Sequence, residues 1–282
     1  MAAKWMSTLH VLYEALCDRI VEDRTVIVAH PLNFAARLVQ DSRGVPNISI
    51  VLQPWLLRSN YRIPKSEPQI VFDFFPNCVK NMLYRYMDSA IDKHFLPGIN
   101  KLAAEKGIEK EKQARRIFDE WFLSPDRVLL AFPHWYCPRQ PDWPRESVVE
   151  ATHFPLWKET SSAFGLPEEL INFLAKDSNK NPPIVITCGT ANPFCSGADH
   201  FLALAQACSK LNYPSIILTS EPSYVPQSEG VSRQRSRPAD CLHFTYLPLS
   251  SLLQHCACCI HHGGIGTSAE CLRAGIPQVC FV

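Results

Sequence analysis

An α/β protein built on doubly wound parallel sheets is the fold this sequence predicts, and three observations predict it. Short β-rich runs alternate with helical stretches in both halves, the first half opens with a compact βαβ pattern, and a Gly-rich turn after residue 261 joins a strand to a helix. A length of 282 residues suits one large domain or two ordinary ones.

Taken in order, Leu9, Leu12, Ala15, Leu16 and Ile20 recur at helical spacing and predict an N-terminal helix with one buried stripe. That segment, Met1 to Ile20, lacks the apolar core and cleavage site of a signal peptide. Thr25–Ala29 reads as a strand, Asn33–Gln40 as a helix and Asn47–Leu52 as a second strand, with Gly44 and Pro46 marking the turn between them. Pro54 to Pro76 is irregular, and Asn77 is placed to cap a helix from Cys78 to Asp92. The charged segment Lys101–Glu120 has mixed signs at short helical separations and predicts an exposed helix or helix pair. Val128–Phe132 is a strand. Pro133–Pro144 carries four prolines in twelve residues and reads as part of a stiff linker, and a strand near Val148–Thr152 closes the first half. The second half alternates regularly, with strands at Pro183–Thr187, Ser215–Thr219, Leu242–Thr245, Cys258–His261 and Gln278–Val282. Its helices fall at Pro167–Ala175, Ala198–Lys210, Leu249–His255 and Gly264–Ala274.

Composition excludes several classes. Hydrophobic residues make up 46% and charged residues 20%, as in a soluble globular protein. The net charge of +1 leaves no field to focus on a nucleic acid, and Arg233, Arg235 and Arg237 lie in a Ser/Gln/Gly/Pro setting that reads as a solvated loop. No apolar run reaches the roughly 20 residues of a membrane span. Twelve cysteines lie singly along predicted elements and suit small buried hydrophobes more than a disulfide framework. Cys256, Cys258, Cys259, His261 and His262 are dense enough to raise a metal site. Adjacent residues of a strand point to opposite faces, however, and the structural-zinc spacing is absent, so no metal is expected.

The chemistry concentrates in His261-His262-Gly263-Gly264-Ile265-Gly266-Thr267-Ser268-Ala269-Glu270. Glycines between strand and helix let a ligand approach the backbone, and the open amides at the helix start attract a diphosphate. His262 and Thr267 add donors. Glu270, one turn beyond Thr267, is placed to accept hydrogen bonds from a ribose diol. The turn is neither a P-loop, because the Lys-Ser/Thr end is missing, nor the dinucleotide fingerprint, because the spacing differs.

Residues 261–267 match an H-H-G-G-x-G-T signature in full, and the match continues through Leu272-Arg273-Ala274-Gly275-Ile276-Pro277-Gln278. On these residues the chain resembles the family 1 nucleotide-sugar glycosyltransferases of GT-B type, in the bacterial and fungal branch acting on macrolides, sterols and other lipophilic alcohols. Further stretches agree: Ala29-His30-Pro31, Gln53-Pro54, Pro141-Asp142-Trp143-Pro144, Thr187-Cys188-Gly189-Thr190, and Tyr246-Leu247-Pro248 followed by Ser251-Leu252-Leu253. The resemblance implies two Rossmann-like domains facing across a cleft: an N-terminal acceptor domain over 1–157, a linker over 158–166 and a nucleotide-sugar domain over 167–282. It assigns Thr190, His262, Gly264, Gly266 and Thr267 to the donor diphosphate, Glu270 to the ribose, and Tyr246 and Leu247 to the base. Trp55, Leu56, Phe74 and Phe75 are candidates for the acceptor wall.

The implied reaction is inverting transfer of a hexose from a UDP- or dTDP-sugar to a hydroxyl of a lipophilic acceptor. It needs no cofactor or bound metal and takes place in the cytoplasm, with at most transient contact with a membrane surface. The family's catalytic histidine precedes the segments matched here, and its sugar-binding Asp-Gln pair follows them. The resemblance therefore implies domains incomplete at both ends and leaves the general base unassigned. Two rival readings stand beside the enzyme: a truncated, non-catalytic paralogue serving as a nucleotide-sugar-binding or interaction module, and a GT-B epimerase, whose acidic catalytic residues have no placement here.

Overall fold

Parallel pairing organises both halves of the chain. A computed structural model describes residues 2–62, 73–144, 148–154, 166–176, 181–189, 197–220 and 238–281. It divides the chain into two compact units, Met1–Phe154 and Pro155–Val282.

In the first unit, strands β1 (Ile27–Ala29), β2 (Asn47–Val51), β3 (Arg127–Leu130) and β4 (Val149–Ala151) form a parallel sheet in sequence order. Helices α1 (Ala2–Cys17), α2 (Phe34–Arg43) and α3 (Asn77–Glu105) bring Leu9, Tyr13, Phe34, Leu38, Ile99 and Leu102 into one core with Ile27. A second core holds Val51, Val128, Leu130, Phe132, Cys137 and Trp143. The polar residues Asn47 and Ser49 of β2 are buried, and Ser124 serves both: its N–H donates to Ser49 Oγ at 2.8 Å and its hydroxyl to the Asn47 carbonyl at 2.6 Å. This gives hydrogen-bond partners to buried polar groups on an inner strand.

Three expectations for this unit change. Helix α3 runs 13 residues past Asp92, to Glu105, with Pro97 inside it. A mid-helix proline costs about 3 kcal/mol. Full burial of Ile99 and Leu102, with Ile91, Phe95 and Leu96 partly buried beside them, offsets that cost, since each well-buried aliphatic side chain contributes roughly 1.5–3 kcal/mol. The segment Lys101–Glu120 is not an exposed helix pair. After α3 it makes an exposed 3₁₀ turn at Lys110–Lys112 and a π-turn at Ile117–Trp121, whose Ile117 and Trp121 are buried. Asp92 Oδ1 accepts the Ile117 N–H at 3.0 Å, and Asn100 Nδ2 donates to the Ala114 carbonyl at 2.9 Å, so the turn is stitched to α3 by polar contacts that no periodicity reveals. The Pro-rich run 133–144 is no linker either. Trp143 and Cys137 are buried, and Trp143 Nε1 donates to the Leu57 carbonyl at 3.1 Å. The expected linker at 158–166 lies outside the described residues except for Leu166.

In the second unit, β5 (Ile184–Thr187), β6 (Ser215–Leu218), β7 (Cys241–Phe244), β8 (Cys258–His261) and β9 (Gln278–Cys280) form a parallel sheet in the order β7-β6-β5-β8-β9. Helices α4 (Glu168–Leu174), α5 (Gly197–Lys210), α6 (Leu249–Leu252) and α7 (Ile265–Ala274) accompany it. Both faces are covered: Val185, Ile216 and Cys259 pack with Leu170, Phe173, Leu252 and Cys271, while Ile186 and Ile217 pack with Phe201, Ala205 and Cys208. All four residues of β6 are buried, as a central parallel strand requires. Cys208, Cys241, Cys256, Cys259 and Cys271 are buried free thiols, and burial pushes Cys208 up to about 11 and Cys256 up to about 12, where they stay protonated and apolar. Cys188 departs from the expected pattern and is disulfide-bonded. Among the described residues no helix is long and apolar enough to cross a membrane. The Arg233, Arg235 and Arg237 cluster lies outside them.

Candidate functional site

The second sheet has one topological switch. From β5 the chain winds outward through β6 to β7, then returns to place β8 on the other side of β5. At the switch the loops leaving two adjacent parallel strands diverge to opposite faces, opening a crevice beyond their carboxyl ends where ligands of such sheets seat. The register pairs Thr187 with His261, so the loop starting at Cys188 and the turn starting at His262 leave the sheet side by side.

That turn is built closely. Gly264 is the N-cap of α7 at φ −61° and ψ 139°, a conformation open to any residue. Its lack of a side chain matters for space: a Cβ there would overlap His262 Nε2 and come within 2.8 Å of Cε1. Gly189, in the facing loop, has φ +54°, and a Cβ on it would stand 3.0 Å from His262 Cε1 and 3.7 Å from Thr267 Oγ1. The two glycines therefore let the imidazole, the α7 start and the β5 loop converge on one small volume. The first amides of α7 have no acceptor within the helix and carry its positive end. His262 Nδ1 is buried and makes no hydrogen bond. Desolvation first, then the neighbouring His261, holds the His262 pKa below the usual histidine value, so the ring is neutral at pH 7.

His261 has a different task. It is fully buried; its Nδ1 accepts the Gly263 N–H at 3.1 Å, which leaves Nε2 protonated to donate to Gln278 Oε1 at 2.9 Å. Gln278 Nε2 in turn donates to the Ser268 carbonyl at 3.4 Å. The chain Gly263–His261–Gln278–Ser268 ties the turn, β8, β9 and α7 together. Burial lowers the His261 pKa, partly opposed by the Gln278 bond. This brace was not anticipated. The strand alternation that buries Cys259 also buries His261, and that was the available signal.

The other expected residues are placed as follows. Thr267 is buried beside His262 and Gly189, and Gly266 lies in the first turn of α7 with open space where a Cβ would be. Glu270 lies one turn beyond Thr267 and forms an ion pair with Arg273, so any diol at this carboxylate competes with that guanidinium. Tyr246 is 64% exposed, whereas Leu247 is 4% exposed and its side chain belongs to the core, which leaves its backbone to face a ligand. Thr190 lies outside the described residues. In the first unit Leu56 is buried, Trp55 is exposed, and Phe74, 79% exposed, meets Phe75 edge-on at 4.8 Å between centroids. Among the described residues no group of three or more His, Cys, Asp or Glu is placed to hold a metal ion. Cys256 donates its thiol to the Leu252 carbonyl at 3.3 Å, and Cys259 is in the core.

The chain resembles known proteins in sequence and in fold. Residues 227–282 match the family model described as Erythromycin biosynthesis protein CIII-like, C-terminal domain. O-mycaminosyltylonolide 6-deoxyallosyltransferase of Streptomyces fradiae is 30% identical over 158 residues, covering 55% of this chain and 32% of the relative. The chain thus spans about a third of that relative's length. The glycotransferase of kitacinnamycin shares the fold at a TM-score of 0.61 and 14% identity, over 99% of this chain and 61% of that one. Glycosyltransferase VinC, solved in complex with dTDP, aligns at a TM-score of 0.50 and 17% identity, over 90% and 53%.

Proposed function

We propose that this chain, a relative of the family 1 glycosyltransferases with the GT-B fold, holds the diphosphate of a nucleotide sugar at the turn between β8 and α7. The observation that carries the reading is the convergence of His262, Gly264, Thr267 and Gly189 at the switch point of the second sheet. The α7 amides receive phosphate oxygens, His262 donates one further hydrogen bond, and Thr267 Oγ1 stands where it can add another. The nucleoside is UDP or dTDP, with the base near Tyr246 and the Leu247 backbone, and the ribose diol at Glu270. Thr190, next to Gly189, extends the phosphate cradle.

The reaction proposed is hexose transfer to a hydroxyl of a lipophilic acceptor such as a sterol, lipid or secondary metabolite. The acceptor oxygen attacks the anomeric carbon opposite the departing diphosphate, so the C–O bond forms on one face as the glycosyl–phosphate bond breaks on the other, inverting the centre. Negative charge grows on the leaving diphosphate, and prearranged donors at α7 stabilise it more in the transition state than in the ground state. The acceptor proton passes to a general base that none of the residues at this turn supplies. The reading assigns phosphate charge to the helix start and His262 and to no bound metal.

Isothermal titration with UDP and UDP-glucose, with and without EDTA, tests the donor site. His262→Ala and Glu270→Ala should each weaken UDP, and EDTA should not. A folded sample that shows no UDP binding removes the proposal. UDP binding without sugar transfer to any lipophilic alcohol would instead favour a nucleotide-sugar-binding module.

A further inference from the structure

Helix α3 presents to solvent one face that the core of the first unit does not use. Its buried side carries Ile99, Leu102 and Ala103, with Ile91, Phe95 and Leu96 packed beside them. The exposed side begins at Phe74, just before the helix, and continues through Cys78, Met82 and Tyr86 at i, i+4 spacing. Phe74 is 79% exposed, Met82 61% and Tyr86 77%. Single apolar side chains are ordinary on a surface, whereas a row of large ones on one face marks a contact with something else.

The charges on this face have one sign. From Asn77 to Ala104 the exposed positions of α3 include Arg85, Lys93, His94 and Lys101 and no carboxylate. Asp88 is buried in its pair with Arg58, and Asp92 is occupied by the Ile117 N–H at 3.0 Å. The exposed carboxylates Asp73 and Glu105 stand only at the two ends. Asp119, which lines a cavity together with Arg85, is taken by Arg116 at 3.0 Å. Arg85, Lys93 and Lys101 enter no ion pair among the described residues. In a chain whose 28 basic and 27 acidic side chains nearly balance, such a face is a separation of charge. Ser89 Oγ donates to the Tyr86 carbonyl at 2.6 Å, so the hydroxyl among the apolar positions is already satisfied.

Charge decides between the occupants that an apolar helix face admits. A second copy in a two-fold pair would set this cationic row against itself, which is repulsive. A protein partner fits poorly with Lys93 and Lys101, because lysine is depleted at the centres of protein interfaces. A bilayer with anionic headgroups matches both parts of the pattern. Phe74, Met82 and Tyr86 enter the boundary between headgroups and acyl chains, while Arg85, Lys93 and Lys101 keep their charges at the lipid phosphates and lay their stems along the apolar row. We propose that this face of α3 docks on an anionic membrane surface, with the helix lying along the interface rather than crossing it. The inference stands without the nucleotide-sugar reading. Where both hold, a lipophilic acceptor reaches the enzyme from the bilayer rather than from water.

Flotation of the whole chain with vesicles tests it, using phosphatidylcholine alone and phosphatidylcholine mixed equally with phosphatidylglycerol. Binding is expected to the mixed vesicles and should weaken as salt is raised. Arg85→Ser, Lys93→Ser and Lys101→Ser should each lower the partition coefficient about fivefold. Met82→Ser and Tyr86→Ser should each lower it roughly tenfold. All five positions are exposed, so the thermal melt should be unchanged by these substitutions. No binding to mixed vesicles by a sample with a cooperative melt overturns the proposal, as does binding that none of the five substitutions weakens. A concentration-dependent dimer that Tyr86→Ser dissociates also overturns it, by making a second copy the occupant. UDP titration of the same sample reads the donor site separately.

Discussion

Gly264→Ala separates steric control of His262 from every other property of the turn. The backbone at Gly264 suits alanine, so the substitution introduces no dihedral strain. What it introduces is a methyl group 2.8 Å from His262 Cε1 and nearer still to Nε2. Comfortable contact between such atoms begins near about 3.5 Å, so the imidazole must withdraw by roughly 1 Å. That distance stretches a normal hydrogen bond of about 2.9 Å beyond useful range. A hydrogen bond to a charged phosphate is worth about 1.5–3 kcal/mol, or roughly 10- to 150-fold in Kd. The imidazole is a mobile side chain, so Tm should change little compared with the loss of UDP affinity. The assay is a double-mutant cycle by UDP titration of wild type, Gly264→Ala, His262→Ala and the double variant. Gly264→Ala should weaken UDP by the stated factor in the wild-type background and by less than threefold when His262 is already absent. An equal penalty in both backgrounds, or none in either, refutes the idea that Gly264 acts through His262.

Three further outcomes follow from the same geometry. His262 is neutral when free because its pKa is lowered, and a bound diphosphate favours its charged form, so UDP binding should take up protons and tighten as pH falls from 8 towards 6. Titrations in buffers of different ionisation enthalpy measure that uptake, and its absence in His262→Ala assigns it. His30, His261 and His262 all have pKa values lowered by burial, so the unfolded chain binds protons at a higher pH than the folded one. Their contribution to stability is complete above about pH 6.5 and is lost as pH falls from there through the lower folded-state values, which a Tm series from pH 8 to 5 will record. Gln278→Ala leaves the buried Nε2–H of His261 with only Cys280 Sγ at 3.7 Å. The expected loss is about 1–3 kcal/mol by chemical denaturation, with weaker UDP binding because the turn loses its brace.

Much of this architecture was legible because it is local. Strand β8 was read at its observed limits, and helix α7 and the helix near Ala198–Lys210 within a residue, since apolar periodicity and punctuating glycines act over a few residues. The turn between β8 and α7 was legible for a related reason: glycines, histidines and a threonine are crowded between a strand and a helix. What escaped depends on contacts between distant segments. The His261–Gln278 brace needs β8 and β9 to be neighbours, and nothing within either strand announces it. Helix α3 passes through Pro97 because the core beneath it is apolar enough to hold it, a tertiary effect overriding a local breaker. The proline-rich run 133–144 looked like a connector by composition, yet Trp143 anchors it in a core formed with Leu57 and Val128. Leu247 shows the reverse error of resolution. The segment was noted for its position before the turn, but the direction of one side chain is set by packing.

The return of β8 to the far side of β5 also bears on the order in which the second unit assembles. Strands β5, β6 and β7 can pair in succession, each closing a short stretch of chain, whereas β8 must come back across all of them. Pairing Ile184 with Cys258 rather than with Ser215 adds only roughly 0.8 kcal/mol of loop-closure entropy, so the arrangement is almost free at equilibrium. In time it is not free, because distant pairings form slowly and depend on earlier ones. The loop with Gly189 and the turn with His262 meet only once that pairing is made. On the proposed diphosphate site, nucleotide binding would therefore appear late, as a property of the completed sheet, and a bound nucleotide would resist unfolding by holding β5 and β8 together.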